Sequence, residues 1–467
     1  MLGIYLDSNS ELSVTSQLCS QLRGKLQAGE LTEGYRLPPS RRLAQEYGIA
    51  RNIVLDVYEQ LIAEGYLVGQ TGSGTYVAGG LVTMHAGTSV GTESFDMPEP
   101  FPSTERPIDF MIGTPDLQHF PNLLWAKYLK AAAEYAPAGL FDYGDIRGEE
   151  DLRCEITSYL YRTRGMRCHP GQIIIVSGSS EGLSLIAQAL SPSYRSVYME
   201  DPTIDIAQHI FKHMQYGITP VPVDGSGMRL HEIERFQSGS LILLTPSHQF
   251  PTGSILSIQR RQLAVKLAEH ADSYIIEDDY DGDFRLKGVP IPPLYTLSPT
   301  RVIYMGTFSK TLAPGLRIGF LVIPSHLVRV FADLKEELNL RSPSLAQAAL
   351  ARFMRDGRLD RHIHRMKGIY RQRRTRLIGA IHRMFGERMI ILGDEAGMHF
   401  QVEYTGMQGP VDWQQSVTYG VKVYSVEDYC LIKGNHTRHI LLGYGNTEEK
   451  DMEMGIERLH RFLEAFK

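Results

Sequence analysis

Val302-Ile303-Tyr304-Met305-Gly306-Thr307-Phe308-Ser309-Lys310, followed closely by Pro314-Gly315-Leu316-Arg317, is an unusual ending for a strand. The apolar run Val302–Met305 reads as a short buried strand, and hydroxyl-bearing residues and a lysine follow it instead of a plain turn. Working outward, similar runs recur at Ile173–Val176, Ser196–Met199, Leu241–Leu244, Tyr274–Ile276 and Phe320–Ile323. Helix-length segments separate them. That alternation predicts an α/β domain with a largely parallel sheet and helices on both faces. The expected bounds are 108–467, with a large lobe over about 108–344. A smaller lobe over about 345–467 opens on a long helical region and ends in shorter strands.

Ligands of open α/β sheets bind beyond the carboxyl ends of the strands, and the unusual residues gather there. Ser177-Gly178-Ser179-Ser180-Glu181-Gly182 follows the first run and opens a helix, which suits a phosphate on free backbone N–H groups. Thr245-Pro246-Ser247-His248-Gln249-Phe250-Pro251-Thr252-Gly253 follows another run, and Asp278-Asp279-Tyr280 another. Each has a bland reading alone: a capping turn, a loop, a solvated lysine, a surface arginine. At successive strand ends they form the set that pyridoxal phosphate (PLP) needs. A lysine forms the Schiff base, a carboxylate faces the pyridine nitrogen, a phenol faces the ring oxygen, and an arginine with hydroxyls holds the phosphate.

This stretch resembles the PLP-dependent fold-type I aminotransferases from about residue 108 to the end. Ser309-Lys310 with Pro314-Gly315-Leu316-Arg317 is the most specific piece, and Tyr143-Gly144-Asp145-Ile146-Arg147-Gly148 is a second match. The resemblance implies Lys310 as the catalytic, cofactor-linked lysine, Asp278 as the pyridine partner and Tyr280 as the ring-oxygen partner. It implies Ser179, Ser180, Thr307, Ser309 and Arg317 at the phosphate, and Arg438 as the grip on an effector or substrate carboxylate. Two positions depart from the pattern. Phe250 stands where aminotransferases carry asparagine, and Ile204 stands where an aromatic ring often stacks on the cofactor. Both count against efficient turnover. His399 could line the pocket, or it is a satisfied core histidine.

Residues 1–78 have another character. Leu18, Leu22 and Leu26 mark a first helix with Ser13 or Thr15 as possible caps, and Ser40 can cap a second helix through Leu43 and Ala44. A third begins near Ala50 with Ile53, Val54, Val57, Tyr58, Leu61 and Ile62 on one face, and a hairpin turns at Gly72-Ser73-Gly74. Leu37-Pro38-Pro39-Ser40-Arg41, Ala50-Arg51-Asn52-Ile53-Val54, Glu64-Gly65-Tyr66-Leu67 and Gly72-Ser73-Gly74-Thr75, in that order, resemble the winged helix-turn-helix of GntR regulators. The resemblance implies Arg41 on the DNA backbone, Arg51 and Asn52 in the major groove, and the Gly72–Gly74 tip near the minor groove. Such side chains at a recognition-helix start can read guanine and adenine edges. The segment holds six Lys or Arg against eight Asp or Glu, yet Arg36, Arg41, Arg42 and Arg51 crowd into sixteen residues with Glu46 alone opposing. Local charge is what meets phosphates.

Residues 79–107 lack periodicity, are rich in Gly, Pro, Ser and Thr, and read as a flexible linker. A net charge of −5 points to no polyanion partner by itself, and the four cysteines show no paired metal spacing, so no metal is expected. No signal pattern or membrane-length apolar run is present, which predicts a cytoplasmic protein.

Winged helix, linker and aminotransferase-like domain together resemble the MocR/GabR/PdxR-type subfamily of GntR transcription regulators. That implies a homodimer on double-stranded operator DNA, with PLP or an amino compound as effector. On this reading the chain is a regulator more than a primary enzyme, with residual half-transamination open to it. The alternative is a metabolic PLP-dependent aminotransferase acting on an amino acid or amine.

Overall fold

The computed structural model describes residues 2–7, 10, 12–70, 72–80, 107–407 and 409–465. The chain divides into two compact units, Met1–Pro102 and Ser103–Lys467. The expected linker falls almost wholly on 81–106, outside the described residues.

The first unit contains α1 (Val14–Gln27), α2 (Ser40–Tyr47), α3 (Arg51–Ala63), β1 (Leu67–Gln70) and β2 (Gly74–Val77). Leu18, Leu22, Leu43, Val54, Val57, Leu61, Leu67 and Val77 close one core, so the three helices and the hairpin pack as a unit. Ser13 caps α1, accepting from the Ser16 N–H at 3.2 Å. Ser40, expected as a cap, is instead the first residue of α2, after Pro39. Its hydroxyl accepts from Arg51 Nε at 3.3 Å. Ile62, expected on the buried face, is 38 % exposed. Gly48, with φ 68°, makes the tight turn between α2 and α3.

In the second unit β3 (Ile108–Asp109), α4 (Asn122–Glu134) and α5 (Glu150–Arg164) precede the main sheet. The sheet and its helices follow as β4 (Ile173–Val176), α6 (Ser179–Leu190), β5 (Ser196–Asp201), α7 (Asp205–His213), β6 (Gly217–Asp224), β7 (Gly227–Met228), β8 (Ser240–Leu244), α8 (Ile258–His270), β9 (Tyr274–Asp279), β10 (Val302–Thr307) and β11 (Gly319–Val322). The eight strands lie in the order β4-β11-β10-β9-β8-β5-β6-β7. β5, β6, β8, β9 and β10 pair in parallel, whereas β11 runs antiparallel to β10 and β4. The runs are continuously apolar because both faces are covered. Ile175, Ile242 and Tyr304 pack on one side, and Val176, Leu243 and Met305 on the other. β6 escaped the sequence reading because Pro220 and Pro222 interrupt it. Only the two-residue β7 lies beyond it, so a strand short of N–H donors is tolerated there.

The remainder comprises α9 (Val328–Glu337), α10 (Ser344–Arg355), α11 (Arg358–Phe385), β12 (Met389–Leu392), β13 (His399–Tyr404), β14 (Val421–Lys422), β15 (Tyr424–Ser425), β16 (His439–Gly443) and α12 (Glu449–Glu464). β12, β13, β16 and β15 form an antiparallel sheet in that order. The chain closes on the helix α12 rather than on strands, and β3 pairs with β14 rather than with the main sheet. No described helix is long and apolar enough to cross a membrane.

Candidate functional site

Strand register gathers the residues flagged in the second unit. Asp278 lies opposite Met305 in the β9–β10 pair, Thr307 opposite Gly319 in β10–β11, and Gly319 opposite Val176 in β11–β4. The segments leaving β4, β9 and β10 therefore emerge along one end of the sheet. A Cβ on Gly319 would lie 3.1 Å from the Gly306 carbonyl oxygen and 3.2 Å from Gly178 Cα, so these backbones touch.

Lys310 is half-buried beyond β10, and its Nζ donates to the Gly113 carbonyl at 2.5 Å. Burial pushes its pKa below the usual lysine range, although Asp281 and Asp278 pull the other way. Asp278 is 5 % exposed, and its Oδ1 has no hydrogen-bond partner among the described residues. Burial first, then the charge of Asp279, pushes this carboxyl up to about 7, against the pull of Lys310. A buried acceptor without a donor is costly, and a protonated ring nitrogen would satisfy it.

Gly178 caps α6 with φ 114° and ψ 178°, a conformation reserved for glycine. A Cβ there would stand 3.3 Å from Arg317 Nη2. Arg317 follows the Pro314–Leu316 turn with a left-handed φ of 52°, a cost that a side chain accepts where its placement matters. Ser179 and Ser180 form the first turn of α6, whose first backbone bond is Gly182 N–H to the Gly178 carbonyl at 3.1 Å. The N–H groups before it are oriented for an anion. Thr307 is buried, and its Oγ1 accepts from Ser309 N–H at 3.1 Å. The Arg317 guanidinium thus lies against the N-terminus of α6.

Tyr280 and Phe250 form one wall. The Phe250 ring stands edge-on to Tyr280 (5.8 Å between centroids), His399 (5.7 Å) and Tyr429 (5.1 Å). Where asparagine would donate a hydrogen bond, this chain places an apolar wall. His399 is 2 % exposed with Nε2 3.3 Å from the Pro251 carbonyl oxygen, and burial pushes it down to about 3. It is a neutral buried histidine that also forms part of the wall. Ile204 is half-buried and packs on the second core cluster.

Arg438 is not brought into this group. It precedes β16, its side chain is 38 % exposed, and Nη2 lies 3.5 Å from Glu403 Oε1. The opposite end of that strand, Gly443, is the one that abuts the Phe110–Met111 backbone, near Gly113. The structure places Arg438 in a cross-strand ion pair.

Sequence reasoning passed over three contributors. Arg164 donates from Nε to Asp279 Oδ2 at 3.0 Å, and His248 and Asp281 bond each other beneath Tyr280. His248 and Asp281 both lay within or beside quoted motifs. Their pairing spans 33 positions, which no local pattern reveals.

In the first unit Arg51 and Asn52 occupy the first turn of α3, Arg41 the first turn of α2, and all three are exposed. Gly72 and Gly74 are exposed at the hairpin tip with φ 77° and 128°. The Arg36 guanidinium lies over the Tyr76 ring at 5.9 Å, and a Cβ on Gly74 would stand 3.1 Å from Arg36 Nε. That folds Arg36 against the wing.

Comparison with known proteins agrees with both halves. Residues 107–437 match the family "Aminotransferase class I and II", and residues 14–77 match "Bacterial regulatory proteins, gntR family". The "Probable rhizopine catabolism regulatory protein MocR" of Rhizobium meliloti is 33% identical over 470 residues, covering 98% of this chain and 95% of that one. The "HTH-type pyridoxine biosynthesis transcriptional regulator PdxR" of Corynebacterium glutamicum is 33% identical over 374 residues, 80% of each chain. Among solved structures, the multiple substrate aminotransferase of Thermococcus profundus superposes with a TM-score of 0.71 at 26% identity, covering 78% of this chain and 92% of its own.

Proposed function

From the premise that this chain belongs to the MocR-type HTH transcriptional regulators, with a gntR-family module and an aminotransferase class I and II domain, we propose that it binds PLP at Lys310 and couples occupancy of that site to operator DNA. The observation that carries the reading is the unpartnered buried Oδ1 of Asp278 on the same sheet end as Lys310. Asp278 would hold the pyridine nitrogen, Tyr280 the ring oxygen, and Ser179, Ser180, Thr307, Ser309 and Arg317 the phosphate. PLP, when bound, supplies an aldehyde for which Lys310 and an amino compound compete. Lys310, with its proton held loosely by burial, is suited to that exchange.

Regulation follows from linkage: an effector that favours one conformation of a dimer shifts the affinity of its winged helices for DNA. The dimer is a homodimer on two half-sites in the cytoplasm, with Arg51 and Asn52 reading bases and Arg41 holding phosphates. Phe250, in place of the asparagine, favours sensing over sustained turnover and leaves half-transamination open. The aminotransferase reading lacks a use for the winged helix.

Fluorescence anisotropy on the chain's own upstream DNA and on scrambled DNA, with and without PLP and candidate amines, tests the proposal. Wild type should discriminate the two and respond to the amine. Lys310→Ala should lose its borohydride-reducible bond to PLP and its response, while still binding DNA. Steady conversion of an amino donor without binding to upstream DNA would replace this reading with the enzyme.

A further inference from the structure

Tyr280 does not face the site alone. Its Oη lies 3.0 Å from His248 Nδ1, and the same nitrogen lies 3.0 and 2.9 Å from the two oxygens of Asp281. His248 is 3 % exposed and Asp281 2 %. A Cβ on Gly397 would meet both the imidazole and the Asp281 carboxylate, so bare backbone covers the pair.

The direction of these bonds follows from donor arithmetic. A carboxylate only accepts, so the proton between His248 and Asp281 is carried on Nδ1. This holds for the neutral tautomer and for the imidazolium. A nitrogen bearing that proton cannot accept from the phenol. Tyr280 therefore meets His248 through its oxygen, and its own O–H is left to donate elsewhere.

We infer that the His248–Asp281 pair is a positioning device for Tyr280, aiming the phenol proton at the ring oxygen of PLP in a site whose Phe250 supplies no second donor. The inference rests on the PLP reading above and adds residues to which no role has been given. The groups facing the imidazole are Asp281, Tyr280, His399 at 5.5 Å between ring centroids, and the positive field of Arg285. Burial pushes the imidazole down, but the charge and hydrogen bond of Asp281, with the Gly393 backbone, outweigh it and leave His248 above its ordinary range. Protonation strengthens the same arrangement without reversing it.

The visible absorbance of bound PLP, titrated with pH, reads this device. A donor to the ring oxygen stabilises its anion and lowers the midpoint. His248→Phe, which keeps a ring of similar shape, and Asp281→Ala should raise the midpoint by about one pH unit, the scale of one hydrogen bond to an ionised oxygen. His248→Asn, whose amide N–H groups can serve both Asp281 and Tyr280, should restore it. Tyr280→Phe should shift the midpoint in the same direction, and adding His248→Phe should shift it no further. A merely structural role would lower PLP content and leave the midpoint in place. Wild-type midpoints in His248→Phe and Asp281→Ala, or additive shifts in the double variant, would overturn the inference while leaving the cofactor reading intact. A wild-type protein with no reducible PLP chromophore would overturn both.

Discussion

Asp278 and Asp279 are consecutive in β9 and serve opposite faces of the sheet. Asp279 Oδ2 accepts from Tyr304 Oη at 2.6 Å and from Arg164 Nε at 3.0 Å, whereas Asp278 Oδ1 has no partner among the described residues. Arg164 also reaches Asp283 at 3.1 Å, so a buried cluster lies behind the Asp278 carboxylate.

The two aspartates should fail differently. Asp279→Ala takes one of two carboxylates from the buried Arg164 and the acceptor from Tyr304, and should destabilise the domain by about 1–3 kcal/mol, the scale of a lost hydrogen bond to a charged group. Asp278→Ala should not destabilise the domain, since it removes a carboxyl that burial disfavours, and should weaken PLP, altering its spectrum. Chemical denaturation beside PLP titration reads both, and the reverse order would move the pyridine partner by one residue.

Gly178→Ala forces a side chain into a glycine-only conformation and against the Arg317 guanidinium. The strain, on the order of 1–3 kcal/mol, should weaken PLP about tenfold or more. At saturating PLP the bond to Lys310 should still form. Undiminished affinity would remove Arg317 from the phosphate site.

Stability should carry the mark of Asp278 as a function of pH. Its folded pKa of about 7 lies above the unfolded carboxyl value of about 3.9. The folded state therefore holds a proton that the unfolded chain has released. The stabilisation is complete below the unfolded value and is lost as pH rises through about 7. Without PLP, Asp278→Asn should gain on wild type across that window; with PLP bound, the gain should vanish, because a cationic ring nitrogen then pairs with the anion. Parallel melting curves of the two proteins against pH are the measurement.

On DNA, Arg51→Ala should lose roughly 1–3 kcal/mol of discrimination between operator and scrambled sequence. Arg41→Ala should weaken both alike and flatten the salt dependence by about one ion. Anisotropy at two salt concentrations distinguishes them. Equal behaviour of the two variants would dissolve the division between base reading and phosphate grip.

Much of this protein is local in origin and so was legible in the chain. Runs buried on both faces, such as Ile173–Val176 and Val302–Met305, announce strands because nothing polar can be tolerated in them. Lys310, Asp278 and Arg317 stand in short motifs at or just past strand ends, and the arginines at 36–51 cluster in sequence. Other features depend on which distant residue arrives beside which. Strand alternation sends Asp279 to Arg164, 115 positions away, and turns Asp278 to the other face. Two prolines hid β6, whose place near the sheet edge excuses them. Arg438 carries a motif's appearance, yet the strand it begins runs toward the site and leaves it at the far end, beside Glu403. His248 and Asp281 look like ordinary loop residues until folding buries them against Tyr280. A hydrogen bond's direction belongs to three atoms brought together, and only the tertiary structure brings them.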